Sequence, residues 1–166
     1  MRLAMLFQST KEKGYYIINQ PVTEQDILDI ANTLLARRFK RRTKLTSPNQ
    51  TREYFKLKLA SYEYEVFCAM FLNNQNQVLA FEELFRGTIN ETAIYPREVV
   101  KQALSLNAAA IIFVHNHPSG DPEPSKADKH ITLRLKYALE LVEVRVLDHF
   151  VVAGDCSVSM AERGLL

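Results

Sequence analysis

The sequence AAAIIFVHNHPSGDPEPSKAD, residues 108–128, decides the fold because a strand, a loop and a helix start follow one another within it. The almost purely apolar run over residues 108–114 predicts a strand that is buried on both faces. Prolines and a glycine then indicate a short, stiff loop. Ser125 marks the start of a helix that we expect to run to about Leu141. A strand that leads through a short loop into a helix is typical of sheets with helices packed against them.

The flanking sequence supplies the other elements of this fold. Two apolar runs, EVFCAMFL and VLAFEEL, are separated by the turn signal NNQNQ and predict a hairpin over residues 65–84. We also predict helices from residue 23, over 47–62 and from residue 95, and a last strand over 144–152. Residues 1–22 show no strong periodicity and are predicted to form a loose arm. This order of elements predicts an α/β fold in which a mixed β-sheet is flanked by helices.

The composition excludes several classes of protein. Apolar residues make up 47% of the chain and charged residues 24%, as in an ordinary globular protein. The two cysteines, Cys68 and Cys156, have no C-x-x-C partner, so a zinc ribbon and a thiol redox motif are excluded. No signal-peptide pattern begins the chain, and no apolar run approaches the roughly 20 residues that cross a membrane. We therefore expect a cytoplasmic protein without a membrane partner.

Positive charge is concentrated in the first part of the chain. Residues 1–60 hold 12 basic and 5 acidic side chains, whereas residues 61–166 hold 9 and 14. Much of the basic excess lies in RRFKRRTK, residues 37–44, and such a cluster can neutralise several DNA phosphates. DNA is therefore a secondary candidate partner, and a solvated helix end is the alternative interpretation. The residues that would contact DNA are Arg37, Arg38, Lys40, Arg41 and Arg42.

Two histidines at the end of the predicted strand are candidate metal ligands. His115 and His117 are two residues apart, so on a strand they point to one face. Asp128 lies in the first turn of the following helix. Two imidazole nitrogens and a carboxylate oxygen suit zinc and leave its fourth position for water. Ser125 and Asp128 also form a helix-capping pattern, and capping and metal binding are compatible roles.

Three further polar residues receive structural interpretations. Asn116 points to the face opposite the two histidines and is expected to be structural. His149, on the last strand, could contact a metal ligand, but a hydrogen-bonded core or edge histidine is the favoured interpretation. His130 is expected on the solvated surface of its helix.

Several separated motifs resemble those of one known family. Residues 115–128 resemble the JAMM motif of the MPN/JAB metallopeptidases, and FRGTIN, YPREVVKQAL and RVLDHFVV are similar in order and content to the RadC family. The resemblance covers about residues 47–166. It implies a JAB1/MPN domain, with cytidine-deaminase-like architecture, that binds one Zn²⁺ ion. By this resemblance His115, His117 and Asp128 are the zinc ligands.

The resemblance also implies two catalytic residues. Ser125 matches the serine that helps to hold the oxyanion. An acid at the start of the hairpin activates the zinc-bound water in this family, and Glu65 is the best match. The alternatives for this acid are Glu63, Glu82 and Glu83.

The implied function is zinc-dependent hydrolysis of a peptide or isopeptide bond in a protein or peptide substrate. The alternative is a non-catalytic zinc-containing module that binds protein or associates with DNA in repair or recombination. Residues 1–46 are expected to form an N-terminal arm and a basic helical segment. They lack the helix-hairpin-helix region of full-length RadC proteins, so the chain resembles the short forms of prophages and mobile elements.

Overall fold

The protein has two compact units, Met1–Lys40 and Arg41–Leu166. The computed structural model describes residues 2–12, 14–38, 44–45, 47–60, 62–87 and 94–166. Within these ranges, no helix combines the length and the apolar character that a membrane crossing needs.

The first unit contains short elements where a loose arm was predicted. Helix α1 (Arg2–Leu6) leads into strand β1 (Phe7–Ser9), which pairs antiparallel with β2 (Tyr16–Ile18). The prediction for residues 1–22 was wrong because strands of three residues are too short to show an alternating pattern. Helix α2 (Glu24–Arg38) begins where the sequence predicts it.

The second unit is a mixed five-stranded sheet with helices, which confirms the predicted α/β fold. The strand order is β4-β3-β5-β6-β7, and β5–β6 is the parallel pair among antiparallel neighbours. The elements, in chain order, are α3 (Pro48–Leu59), β3 (Val66–Leu72), β4 (Val78–Arg86), α4 (Pro96–Ser105), β5 (Ala110–Asn116), α5 (Lys126–Glu140), β6 (Arg145–Ala153) and β7 (Cys156–Ser159).

Helices cover both faces of this sheet. Every residue of β3 and β5 is buried, which explains why these strands appear in the sequence as continuous apolar runs. On one face, α4 and α5 contribute to a core cluster that includes Phe71 and Phe113 of the sheet and Leu135 of α5. On the other face, Phe55 of α3 contacts the ring of Phe150 on β6, with ring centroids 5.5 Å apart.

The strand pairing brings distant parts of the chain together at one end of the sheet. Strands β3 and β5 are antiparallel, so Phe67 near the start of β3 pairs with His115 near the end of β5. Strand β6 runs parallel to β5 and places His149 opposite Phe113. The start of β3 and the end of β5 therefore meet, and the first turn of α5 lies at the same end, where Asp128 approaches His115.

The ends of some elements differ from the predictions, and one strand was not predicted. Strand β5 continues through Asn116, so His115 lies inside the strand and His117 just beyond it. Helix α3 ends at Leu59, before the predicted end near Tyr62. The residues of strand β7 were predicted to form only a tail after a turn. They form a strand because they pair with β6, and four residues are too few to show this in the sequence.

Candidate metal centre

The backbone fixes the two histidines at the end of β5. His115 is 1% exposed. The backbone N–H of His117 donates to the carbonyl of Val152 at 2.7 Å, which prolongs the parallel pairing by one residue. The loop then turns back sharply: Gly120 has a φ of +88° and donates its N–H to the His117 carbonyl at 3.1 Å.

Ser125 and Asp128 form the predicted helix cap. The N–H of Asp128 donates to Ser125 Oγ at 3.1 Å, and the N–H of Ser125 donates to Asp128 Oδ2 at 2.7 Å. This reciprocal arrangement is a capping box, and it fixes the orientation of the Asp128 carboxylate. Because the cap uses a lone pair of Ser125 Oγ, the hydroxyl hydrogen is not needed for it.

Four side chains converge into a group that could hold a metal ion. Glu65, His115, His117 and Asp128 each offer one donor atom, and these atoms lie within 4.8 Å of one another. The Nε2 atoms of the two histidines are 2.9 Å apart, and His115 Nε2 is 3.3 Å from Asp128 Oδ1. Atoms bound to a tetrahedral zinc ion at about 2.0–2.1 Å lie about 3.3 Å from one another, so the donor atoms fit zinc.

The hydrogen bonds of His117 point one of its lone pairs into this group. Its Nδ1 lies 2.7 Å from the carbonyl oxygen of Asp121, and a carbonyl oxygen only accepts, so Nδ1 carries the hydrogen. The Nε2 of the neutral ring then has a lone pair that faces His115. The nearby Asp128 carboxylate favours the protonated ring and so raises the pKa of His117, although burial acts in the opposite direction.

Asp128 supplies negative charge to the group. Burial alone would raise the pKa of this carboxyl, but the imidazoles of His115 and His117 beside it outweigh burial and lower the pKa well below its usual range. The ionised carboxylate and the two imidazoles together form a donor set that suits a divalent cation.

Glu65 is held at the start of β3 by contacts on both sides. Its carbonyl accepts the N–H of Gly87 at 2.8 Å. The side chain of Asn116 accepts the N–H of Val66 at 2.8 Å and donates to the carbonyl of Tyr64 at 2.9 Å. Asn116 therefore has the structural role that the sequence indicates, and it holds the two residues next to Glu65.

The alternative acids have other partners. Arg86 donates to the carboxylate of Glu83 and lowers the pKa of Glu83. The carboxylate of Glu82 accepts a hydrogen bond from Gln102 Nε2 at 2.5 Å. Glu63 is exposed. Of the four acids considered from the sequence, the structure brings Glu65 to the histidines and Asp128.

We expect the Asn116→Ala variant to lower the free energy of unfolding by about 1–3 kcal/mol, since a buried N–H and a carbonyl on either side of Glu65 lose their partner. Urea denaturation would measure the loss. The exposed Asn74, in the β3–β4 turn, provides a control. Its change to alanine should alter stability by no more than about 0.5 kcal/mol. Equal losses in the two variants would contradict the role assigned to Asn116.

His149 lies next to His115, and Thr132 lies on the far side of His149. His149 is fully buried, and its ring nitrogens contact His115 and Thr132 instead of a carboxylate, so the ring is neutral. Burial also lowers its pKa well below the usual value. Its Nε2 lies 2.8 Å from His115 Nδ1, and its Nδ1 lies 2.6 Å from Thr132 Oγ1. The favoured prediction of a hydrogen-bonded core histidine is confirmed, and the structure adds that one partner is His115. Thr132 was not predicted from the sequence, because a threonine four residues after Asp128 on one helix has no distinctive pattern.

The predicted DNA contact cannot be located in the fold. Arg37 and Arg38 end α2, but their side chains lie outside the described residues, as do Lys40, Arg41 and Arg42 entirely. The nucleic-acid prediction therefore stays a prediction.

Comparison with known proteins gives a consistent family. The model of the RadC-like JAB domain matches residues 45–165. A UPF0758 protein of Vibrio cholerae serotype O1 is 54% identical over 151 residues, which are 91% of this chain and 95% of that protein. UPF0758 proteins of Methylibium petroleiphilum and Thiobacillus denitrificans are 58% and 54% identical over 84% and 86% of this chain.

The extent of these matches differs among the relatives. The aligned region makes up 63% of the Methylibium and of the Thiobacillus protein, in contrast to nearly all of the Vibrio protein. The family match includes the start of β3, the end of β5 and the first turn of α5, where the four donor side chains meet. The chain therefore belongs to the RadC family, and its second unit is a RadC-like JAB domain.

Proposed function

We propose that the protein is a zinc-dependent hydrolase of the JAMM type that cleaves a peptide or isopeptide bond. The observation that carries this proposal is the convergence of Glu65, His115, His117 and Asp128, whose donor atoms lie within 4.8 Å of one another. Two histidines and one aspartate would hold the ion, as in catalytic zinc sites with three protein ligands. Zinc, when bound, lowers the pKa of its water to about 7 and polarises a carbonyl oxygen.

Glu65 would act as the general base in this reaction. A carboxylate beside the ion can take a proton from the attacking water and return it to the leaving amine. Glu65 is half-buried and lies between the two residues that Asn116 holds, so the position of its backbone relative to the two histidines is fixed. Such positioned proton transfer contributes about 10²–10⁴-fold to a rate.

Ser125 would stabilise the oxyanion of the tetrahedral intermediate. Its oxygen accepts the N–H of Asp128 in the helix cap, so the hydroxyl hydrogen can be donated to a substrate oxygen. The cap also fixes the rotamer of Ser125, which makes the donor available without reorganisation during the reaction.

Metal analysis combined with a substrate screen tests this proposal. The purified chain should contain about one zinc per molecule and should hydrolyse at least one member of a panel of peptides and isopeptide-linked conjugates. Activity should disappear after chelation and return when zinc is added. Stoichiometric zinc without hydrolysis across the panel would instead favour the non-catalytic zinc-containing module.

A role in DNA binding is a separate proposal that rests on the charge of residues 37–44. The combined change of Arg37, Arg38, Arg41 and Arg42 to alanine should weaken DNA binding at low salt. The log–log salt dependence should become shallower, by about 0.9 for each phosphate that the variant no longer neutralises. Zinc content and hydrolysis should be unchanged, because the changes precede the matched region at residues 45–165. Gel shifts across a salt series would measure this, and tight binding that survives all four changes would exclude this surface.

A further inference from the structure

Three consecutive hydrogen-bonding contacts connect His115 with Asp128, two of the four residues that could hold a metal ion, through the buried side chains of His149 and Thr132. His115 Nδ1 lies 2.8 Å from His149 Nε2, and His149 Nδ1 lies 2.6 Å from Thr132 Oγ1. The Thr132 hydroxyl is in turn 2.5 Å from the backbone carbonyl of Asp128. The chain of contacts begins at one donor residue of the group and ends at another.

The direction of these hydrogen bonds follows from the last contact. Two oxygens that both carry lone pairs approach to 2.5 Å when a hydrogen lies between them. The Asp128 carbonyl has no hydrogen, so Thr132 donates. The other acceptor near this hydroxyl, Met160 Sδ, is farther away at 3.7 Å. Since a hydroxyl has one hydrogen, Thr132 Oγ1 must accept from His149 Nδ1.

The same reasoning fixes the two imidazole rings. A neutral histidine carries one N–H, and in His149 this N–H is on Nδ1, so Nε2 has the lone pair. His149 Nε2 therefore accepts from His115 Nδ1. The hydrogen of His115 is then on Nδ1. Its Nε2 lone pair faces the Nε2 lone pair of His117 and the Asp128 carboxylate, and a cation between these acceptors would stabilise that arrangement.

We infer that Thr132 and His149 are positioning residues that hold His115 in the Nδ1–H form, whose Nε2 can bind a metal ion. A hydrogen bond to the second ring nitrogen is the general device by which proteins select the tautomer of a histidine ligand. For its functional meaning this inference depends on the proposed metal site, but the tautomers themselves are properties of the chain without metal.

Packing restricts the His149 ring to its present orientation. The rings of Phe67 and Phe113 lie edge-on to it, with centroid distances of 5.3 Å and 5.9 Å. Without the Thr132 hydroxyl, the direction of hydrogen bonding could reverse. His149 would then donate from Nε2, and His115 would have its hydrogen on the nitrogen that faces the metal site.

Zinc affinity of matched Thr132 variants tests the inference. Thr132→Val removes the hydroxyl at nearly constant volume, whereas Thr132→Ser keeps it. Competition with a zinc chelator should show affinity about 10- to 100-fold weaker for the valine variant, the usual cost of losing such a partner. The serine variant should bind zinc nearly as tightly as the wild type. Equal affinities of the valine and serine variants would overturn the inference.

A second pair of variants covers the case in which Thr132→Val fails to fold, which melting of the metal-free protein would show. His149→Gln can present its carbonyl oxygen near the position of Nε2 and accept from His115, whereas His149→Leu has no acceptor. The glutamine variant should therefore bind zinc more tightly than the leucine variant. The opposite order, or no difference between folded variants, would count against the inference.

Nitrogen NMR of the metal-free protein reads the tautomers directly. At a pH where both rings are neutral, His115 and His149 should each show the N–H on Nδ1 in the wild type. The valine variant should lose this fixed pattern. An N–H on Nε2 of wild-type His149 would refute the inference even if zinc binds. Absence of hydrolysis, with the tautomers and the affinity order as expected, would refute the proposed function alone.

Discussion

The His117→Ala variant should lose the stoichiometric zinc that the wild type retains through purification. His117 offers one of the three nitrogen and oxygen donors assigned to the ion, and its Nε2 lies 2.9 Å from that of His115. With two protein ligands left, the site should no longer hold zinc at micromolar concentrations. Elemental analysis of the purified variant would measure the loss, and unchanged metal content would exclude the proposed zinc site.

The loss of zinc should also appear in thermal stability, because an ion that binds only the folded state stabilises it. At free zinc about a thousandfold above its dissociation constant, this stabilisation is about 4 kcal/mol. For a chain of this length, that corresponds to roughly 8–16 °C in melting temperature. Chelation should lower the melting temperature of the wild type but not of His117→Ala. His130→Ala is the matched control, since His130 is an exposed histidine on α5.

The Glu65→Gln variant should keep zinc and the fold but lose about 10²–10⁴-fold in the rate of any hydrolysis that the wild type shows. The amide has nearly the same shape as the carboxylate, but it cannot accept a proton. The zinc ligands and the hydrogen bonds of Asn116 to Tyr64 and Val66 are untouched. Initial rates on the best substrate of the screen, at equal zinc content, would measure the effect.

Glu63→Gln is the closest control for this variant, because Glu63 is an exposed acid two residues upstream. Its rate should equal that of the wild type. If Glu65→Gln stays active while Glu82→Gln or Glu83→Gln is inactive, the proton acceptor is on β4 and our assignment is wrong.

The central elements of the fold could be predicted because each has a strong local signal. The continuous apolar runs of β3 and β5 reflect burial on both faces, and Pro96 marks the start of α4. The short strands β1, β2 and β7 could not be predicted in the same way. Segments of three or four residues show no period, and β7 is stabilised as a strand by pairing with β6.

The same distinction applies to the candidate site, where some residues could be predicted from local spacing and others depend on the tertiary fold. The spacing of His115, His117 and Asp128 within one strand–loop–helix segment was enough to predict that they share a site. Glu65 is 50 residues from His115 along the chain, and their proximity depends on the β3–β5 register. Residue types alone therefore left four acids open. Nothing local marks Thr132, because a threonine within a helix has no distinctive pattern.

Because Asp128 both caps a helix and lies among the candidate metal ligands, a mutation at this position can separate the two roles. An asparagine at position 128 could still accept the N–H of Ser125, since its side-chain oxygen occupies a similar position. It would supply no negative charge to balance that of a divalent ion. A single substitution could thus abolish metal binding and still leave the helix cap intact. Relatives with asparagine at this position are where we would look for chains that fold normally but no longer bind a metal ion.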